Sequence, residues 1–139
     1  MLRDGTDMTL VATGGIMDEV LKAADRLADH DMLCRVLSVH TLKPLVADAL
    51  YRAARETGGL ITVEEHTVLG GLGGAVAELL LESGATPAVF HRIGLRDGFS
   101  SIVGSQQYLR ERYGMDAASI VDTVLRKRDG AWLRPRVAA

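Results

Sequence analysis

Two carboxylates and an imidazole stand side by side at Glu64-Glu65-His66, closing the apolar run Leu60-Ile61-Thr62-Val63. Those residue types serve proton transfer or metal ligation. In an extended segment Glu64 and His66 share one face and Glu65 points to the other. A metal would therefore need further ligands from neighbouring segments. If His40 ends a strand two places away in the same sheet, it sits roughly 10 Å off, too far for shared coordination. Just downstream, Gly70-Gly71-Leu72-Gly73-Gly74 opens a helical pattern. Free N–H groups and the positive end of a helix dipole suit a phosphate at such a place. The same glycines equally serve a tight turn and close helix–sheet packing. A dinucleotide fingerprint is excluded, because Val76 stands where it needs a small residue, and no Gly-Lys-Ser/Thr follows for a P-loop.

Other chemistries find less support. No G-x-S-x-G elbow exists, and Ser105 suits the N-cap of a following helix better than a nucleophile's place. Cys34 lies inside an apolar run, where a thiol is inert core, and a lone cysteine excludes both a disulfide framework and a cysteine zinc cluster. His30 and His91 fit a helix end and a strand with a local partner. The chain contains no asparagine, so motifs needing that side chain as metal ligand or oxyanion donor are absent.

The elements that would position these groups alternate regularly. Apolar runs at 8–13, 33–39, 60–64 and 88–93 read as strands. Helical spacing occupies 16–29, 46–57, 72–83, 105–113 and 117–127. Gly58-Gly59 and Gly84 are placed to end the second and third helices. In the fourth helix Tyr108 and Leu109 mark the apolar face. Strand–helix alternation predicts a three-layer α/β/α domain with a doubly wound, mostly parallel sheet of four to five strands. In such a sheet ligands enter at the carboxyl ends of the strands, where strand order reverses. The residues expected there are Gly14, Gly15, His40, Glu64, Glu65, His66 and Gly94, with Gly70, Gly71 and Gly73 beside them, forming an anion-binding or interface crevice.

The 139 residues suit one domain, expected over 1–128, with a basic tail over 129–139. Sixteen Lys+Arg against eighteen Asp+Glu give a net charge of −2, which argues against a nucleic-acid partner. With 47% hydrophobic residues, the composition is that of a globular chain. No run is long enough for a membrane span and the first residues lack the apolar stretch of a signal peptide. A cytoplasmic setting is expected.

A set of ordered motifs goes further. Asp7-Met8-Thr9-Leu10-Val11-Ala12-Thr13-Gly14, then Thr41-Leu42-Lys43-Pro44-Leu45, then Val63-Glu64-Glu65-His66 with Gly70-Gly71-Leu72-Gly73 and Ala75-Val76-Ala77-Glu78, follow one another along the chain. Arg92-Ile93-Gly94-Leu95, Asp97, Phe99, Gly104 and Tyr113-Gly114-Met115 continue the series. Together these resemble the C-terminal domain of the transketolase family over about 4–127, with 2-oxo acid dehydrogenase β subunits and deoxyxylulose-phosphate synthases as relatives. Val46 departs from the Asp that the family often has there, and Arg96 from a frequent proline.

The resemblance implies an assembly domain of an enzyme that moves two-carbon ketol units between sugar phosphates. Thiamine diphosphate and Mg would be held by other domains or subunits, and this chain is expected to be inactive alone and to bind no cofactor or metal. Asp97-Gly98 and Asp129-Gly130 are not preceded by the Gly of the family's diphosphate motif, so no catalytic or cofactor-binding residue carries over. The family's sheet begins with an antiparallel edge strand, of which only Leu2-Arg3 would remain. Met1 is therefore expected to be an imposed start on an excised domain. An uncovered edge would invite pairing with another chain, so a homo-oligomer is expected. A phosphate- or nucleotide-binding module and a free-standing docking subunit remain the alternatives.

Overall fold

Met8–Ala12, strand β1, is buried along its whole length, and its largely apolar character, broken by Thr9 alone, fits a strand covered on both faces. It lies inside a four-stranded parallel sheet of order β2-β1-β3-β4, with β2 at Cys34–Ser38, β3 at Leu60–Thr67 and β4 at Phe90–Leu95. The computed structural model describes residues 1–132 apart from Asp97 and Phe99; these two positions and residues 133–139 of the expected tail lie outside the described residues. Helix α1 (Met17–Ala28) follows β1 through the short turn Gly14–Ile16, and α2 (Ala47–Glu56) and α3 (Leu72–Glu82) follow β2 and β3. Helices α4 (Gln106–Arg112) and α5 (Ala117–Trp132) close the series, α5 running five residues beyond the expected 127. Leu2 and Arg3 lie antiparallel against the outer edge of β2, with Val36 N–H donating to the Arg3 carbonyl at 3.0 Å.

Strand alternation divides the core in two. Leu10, Val36, Ile61 and Val63 pack under α1 and α5 with Val20, Leu27, Ile120 and Val124. Val11, Leu37 and Leu60 pack under α2 and α3 with Leu50, Leu72, Val76 and Leu80. The α/β/α layering is therefore as expected. Burial pushes the Cys34 thiol up to about 12, so it stays protonated within this core.

Helix ends show where residue type decided geometry. Gly84, at φ +70°, follows α3, and Ala85 N–H donates to the Leu80 carbonyl at 3.0 Å, the expected glycine stop. Gly58-Gly59 do not act this way. Thr57 is extended there, and its hydroxyl donates to the Ala53 carbonyl at 2.8 Å, closing α2 from the side chain. Ser105 caps α4 as expected, accepting from Tyr108 N–H at 3.2 Å. Val46, at the start of α2, offers no side-chain cap.

Ile120→Ala should lower unfolding free energy by about 2–5 kcal/mol by opening a cavity between α5 and α1. Leu81→Ala, at 73% exposure, should change it by less than about 0.5 kcal/mol. Urea unfolding of both variants measures the contrast.

Candidate functional site

The strand order reverses between β1 and β3, so the crevice expected of a doubly wound sheet lies at their carboxyl ends. Side chains of the chain itself fill it. Glu64 is almost completely buried on the α3 side of β3. Leu72 N–H donates to its Oε2 at 2.7 Å and Gly73 N–H to its Oε1 at 2.8 Å. A carboxylate held by two N–H groups at a helix start satisfies donors that otherwise lack partners and complements the helix dipole. An anion approaching this turn meets Glu64 already in place.

The glycines make that contact geometrically feasible. Gly70 adopts φ +72°, turning the chain from β3 into α3. A Cβ on Gly71 would run into the Glu64 carboxylate. One on Gly73 would lie 2.7 Å from both Thr62 Oγ1 and Arg92 Cδ. The close packing weighed for this run is thus observed, with Glu64 as its reason.

Glu65 faces the other way, as alternation predicts, and enters a second polar cluster. Arg110 Nε donates to Glu65 Oε1 at 2.7 Å and its Nη2 to Oε2 at 2.9 Å, a two-pronged pairing. Arg110 Nη2 also donates to the Gly15 carbonyl at 3.0 Å, and Gln106 Nε2 reaches both Glu65 oxygens at 3.1 Å. The Arg110 hydrogen bonds hold the Glu65 carboxyl below the usual carboxylate range, against an opposing effect of burial. Arg110 thus ties the turn after β1 to strand β3. Sequence reasoning missed it and took Tyr108 and Leu109 as the apolar face of α4. In the structure Tyr108 is exposed and Arg110 buried, because the Glu65 carboxylate supplies the guanidinium with a partner under that helix. The spacing of Gln106 and Arg110, one turn apart, was the available signal.

The remaining candidates stay apart. His66 is exposed, its Nδ1 3.0 Å from the Thr67 carbonyl oxygen. His40 follows β2, beyond β1 from Glu64, and its Nδ1 lies 2.8 Å from Thr41 Oγ1. Gly14 turns the chain after β1 at φ +73°. Gly94 packs closely, with a Cβ there falling 2.8 Å from the His66 carbonyl oxygen. No group of three His, Cys, Asp or Glu side chains among the described residues could hold a metal ion. Glu64 is bonded to backbone and Glu65 to Arg110, so the strand-end residues do not fit a diphosphate with its metal.

Segments that follow the strands expose several apolar side chains among polar ones. Val46, Leu69, Val103 and Tyr108 are all exposed, and all lie on segments that follow the strands, Val103 being 94% exposed. Between α4 and the end of β4 runs a groove of about 450 Å³, lined by Leu95, Leu109, Tyr113 and Met115 together with the polar Glu65, Gln106 and Arg110. No helix among the described residues is long and apolar enough to cross a membrane.

The fold and this face define a doubly wound α/β domain whose switch-point crevice is closed by its own backbone hydrogen bonds and an ion pair. Comparison with known proteins supplies the family. The model of the family "Transketolase, C-terminal domain" matches residues 1–120, and the chain belongs to that family. It is 44% identical over 121 residues to the 6-deoxy-6-sulfo-D-fructose transketolase subunit SqwH of Clostridium sp., covering 87% of this chain and 37% of that protein. Against the 1-deoxy-D-xylulose-5-phosphate synthase of Desulforudis audaxviator it is 39% identical over 140 residues, 99% of this chain and 22% of the synthase. A solved split-gene transketolase, described as an inactive beta4 tetramer, superposes with a TM-score of 0.83 at 38% identity, covering 92% of this chain and 41% of that one. The chain thus spans less than half the length of each of these proteins, and is the C-terminal domain of a transketolase-type subunit.

Glu64→Gln should destabilise the domain by about 1–3 kcal/mol, since the amide turns a donor toward a backbone N–H. Glu65 contributes stability above the ordinary carboxylate range that is lost as pH falls through its lowered folded value. The stability gap between wild type and Glu65→Gln should therefore be widest near neutral pH and shrink between about pH 5 and pH 2. Denaturant titrations across that range read both effects.

Proposed function

We propose that this chain is the assembly domain of a transketolase-type enzyme. It packs its strand-end face against the domains or subunits that hold thiamine diphosphate and Mg, and helps build the oligomer. Alone it transfers no two-carbon unit. The observation that carries this reading is the self-filled crevice, together with the exposed Val46, Leu69, Val103 and Tyr108 on segments that follow the strands. A face with satisfied polar groups and unsatisfied apolar ones gains by being covered, not by taking an ion. Relatives that are transketolase subunits, with this chain matching under half of each, support partners of that kind.

The likeness to deoxyxylulose-phosphate synthases favours a second version, in which the same face serves that enzyme's catalytic domains. The role of the domain is unchanged; the substrate differs. Cytoplasmic placement belongs to the same proposal.

The reading is tested by mixing the purified chain with a polypeptide carrying the coenzyme-binding domains of a transketolase and following association and ketol transfer. Ketol transfer should require both components. Val103→Asp with Tyr108→Arg should weaken association at least about tenfold, or about 1.4 kcal/mol, with the thermal midpoint of the isolated chain unchanged. Undiminished association of the double variant would count against this face. Turnover by the chain alone would sink the assembly role.

A further inference from the structure

Helix α4 differs from the other helices in what it buries. Helix α1 sends Val20, Ala23, Ala24 and Leu27 into the core, and α3 sends Leu72, Val76 and Leu80. Of the seven residues of α4 only Arg110 is buried. Leu109 is half-buried and, among the described residues, belongs to neither core. Gln106, Gln107, Tyr108, Glu111 and Arg112 are exposed. The apolar anchors come after the helix, where Tyr113 packs against the core under α1 and α5 and Met115 is buried in it.

Isolated helices shorter than about 12–15 residues are marginal in water, because the first turn fixes many dihedrals for one hydrogen bond. An apolar face packed on the core ordinarily makes up the difference, and α4 has almost none. The Ser105 cap satisfies Tyr108 N–H but joins nothing to the sheet. Among the described residues, the side chain that binds α4 to the sheet is Arg110, seconded by Gln106 on the same Glu65 carboxylate. Arg110 also reaches the Gly15 carbonyl in the turn before α1. The Glu65 hydrogen bonds first, then, against the effect of burial, the charges of Glu65, Glu19 and Asp18 hold its guanidinium above the usual range. The attachment of α4 is therefore polar and concentrated at one side chain.

We propose that α4 is a latch, which undocks and redocks as a unit on the Arg110–Glu65 contact while the sheet and the other helices stay folded, and which the covering part of the enzyme clamps shut. Segments with few buried apolar side chains open at low free energy, and moving parts of binding surfaces are drawn from them. The latch itself rests on burial and bonding within this chain. The clamping step rests on the proposed assembly role, in which Tyr108 on α4 and Val103 just before it are covered. Shut, α4 presents Tyr108 at a fixed place beside β3 and the turn after β1. A partner that contacts the docked helix binds the shut state and shifts the population toward it. Arg110 then acts on assembly by positioning α4, without itself touching the partner.

The test is native-state amide hydrogen exchange of the full chain, read by NMR at urea concentrations below the unfolding transition. The Leu109 and Tyr113 amides donate to the Ser105 and Leu109 carbonyls at 3.0 and 2.9 Å and so report α4. They should exchange at least about a hundredfold faster than the amides of β1. Their dependence on urea should be weaker, because undocking exposes little surface. Arg110→Met should speed them about tenfold more, while Arg52→Ala on α2 leaves them as in the wild type. Adding a polypeptide that carries the coenzyme-binding domains should slow them. Amides of α4 as slow as those of β1, with the same urea dependence, would overturn the latch. Exchange unmoved by Arg110→Met would overturn its anchor. Association that leaves α4 exchange as fast as before would overturn the clamp, whereas absence of association would count against the assembly role and leave the free-chain result standing.

Discussion

Consecutive glutamates on β3 fill the crevice from both faces of the sheet, and the rest of the strand-end architecture follows from that arrangement. Glu64 turns into the layer under α3 and takes the first N–H groups of that helix. Glu65 turns into the opposite layer and takes the guanidinium of Arg110. Glu64 needs bonded partners because leaving water unpaired is expensive, while Glu65 keeps contact with water beside its guanidinium partner. Their partners fix where α3 begins, where α4 lies and how the turn after β1 is held. Glycine at 71 and 73 is the steric condition for the first contact, since a methyl group at either position would collide with Glu64, Thr62 or Arg92. The same device recurs at α5, where the buried Glu19 accepts from Ala117 N–H at 2.8 Å.

This arrangement separates the domain from dinucleotide-binding proteins of similar layering. There the helix N-terminus at the switch point is left open for a phosphate. Here an internal carboxylate satisfies it, and the surrounding apolar side chains are the surface left without a partner. The proteins that the chain matches are longer, this chain spanning 37% of one transketolase subunit and 22% of a synthase.

Much of the architecture was legible in the residues because alternation and helical spacing report burial directly. Among the described residues the four strands and five α-helices fall close to where apolar periodicity places them, β3 running three residues past the expected 64 and β4 beginning two residues later than expected. The opposed directions of Glu64 and Glu65 follow from strand geometry alone, and so does the separation of His40. What those carboxylates meet was not legible. Glu64 contacts backbone at positions 72 and 73, and a backbone donor leaves no mark in residue type. Arg110 pairs across 45 residues, and only the folded chain brings α4 over β3. The closing of α2 by the Thr57 hydroxyl was hidden by the two glycines beside it, which resembled a stop signal more strongly.

In the proposed assembly the strand-end face is covered by the coenzyme-carrying part of the enzyme. Amide hydrogen exchange, followed by mass spectrometry on the free chain and on its complex with that part, tests this most directly. Slowed exchange should be confined to the loops after the strands, 40–46, 66–70 and 100–105, together with α4, leaving α2 and the body of α3 as they were. Slowing restricted to α2 and α3, with the strand-end loops exchanging as in the free chain, would contradict it.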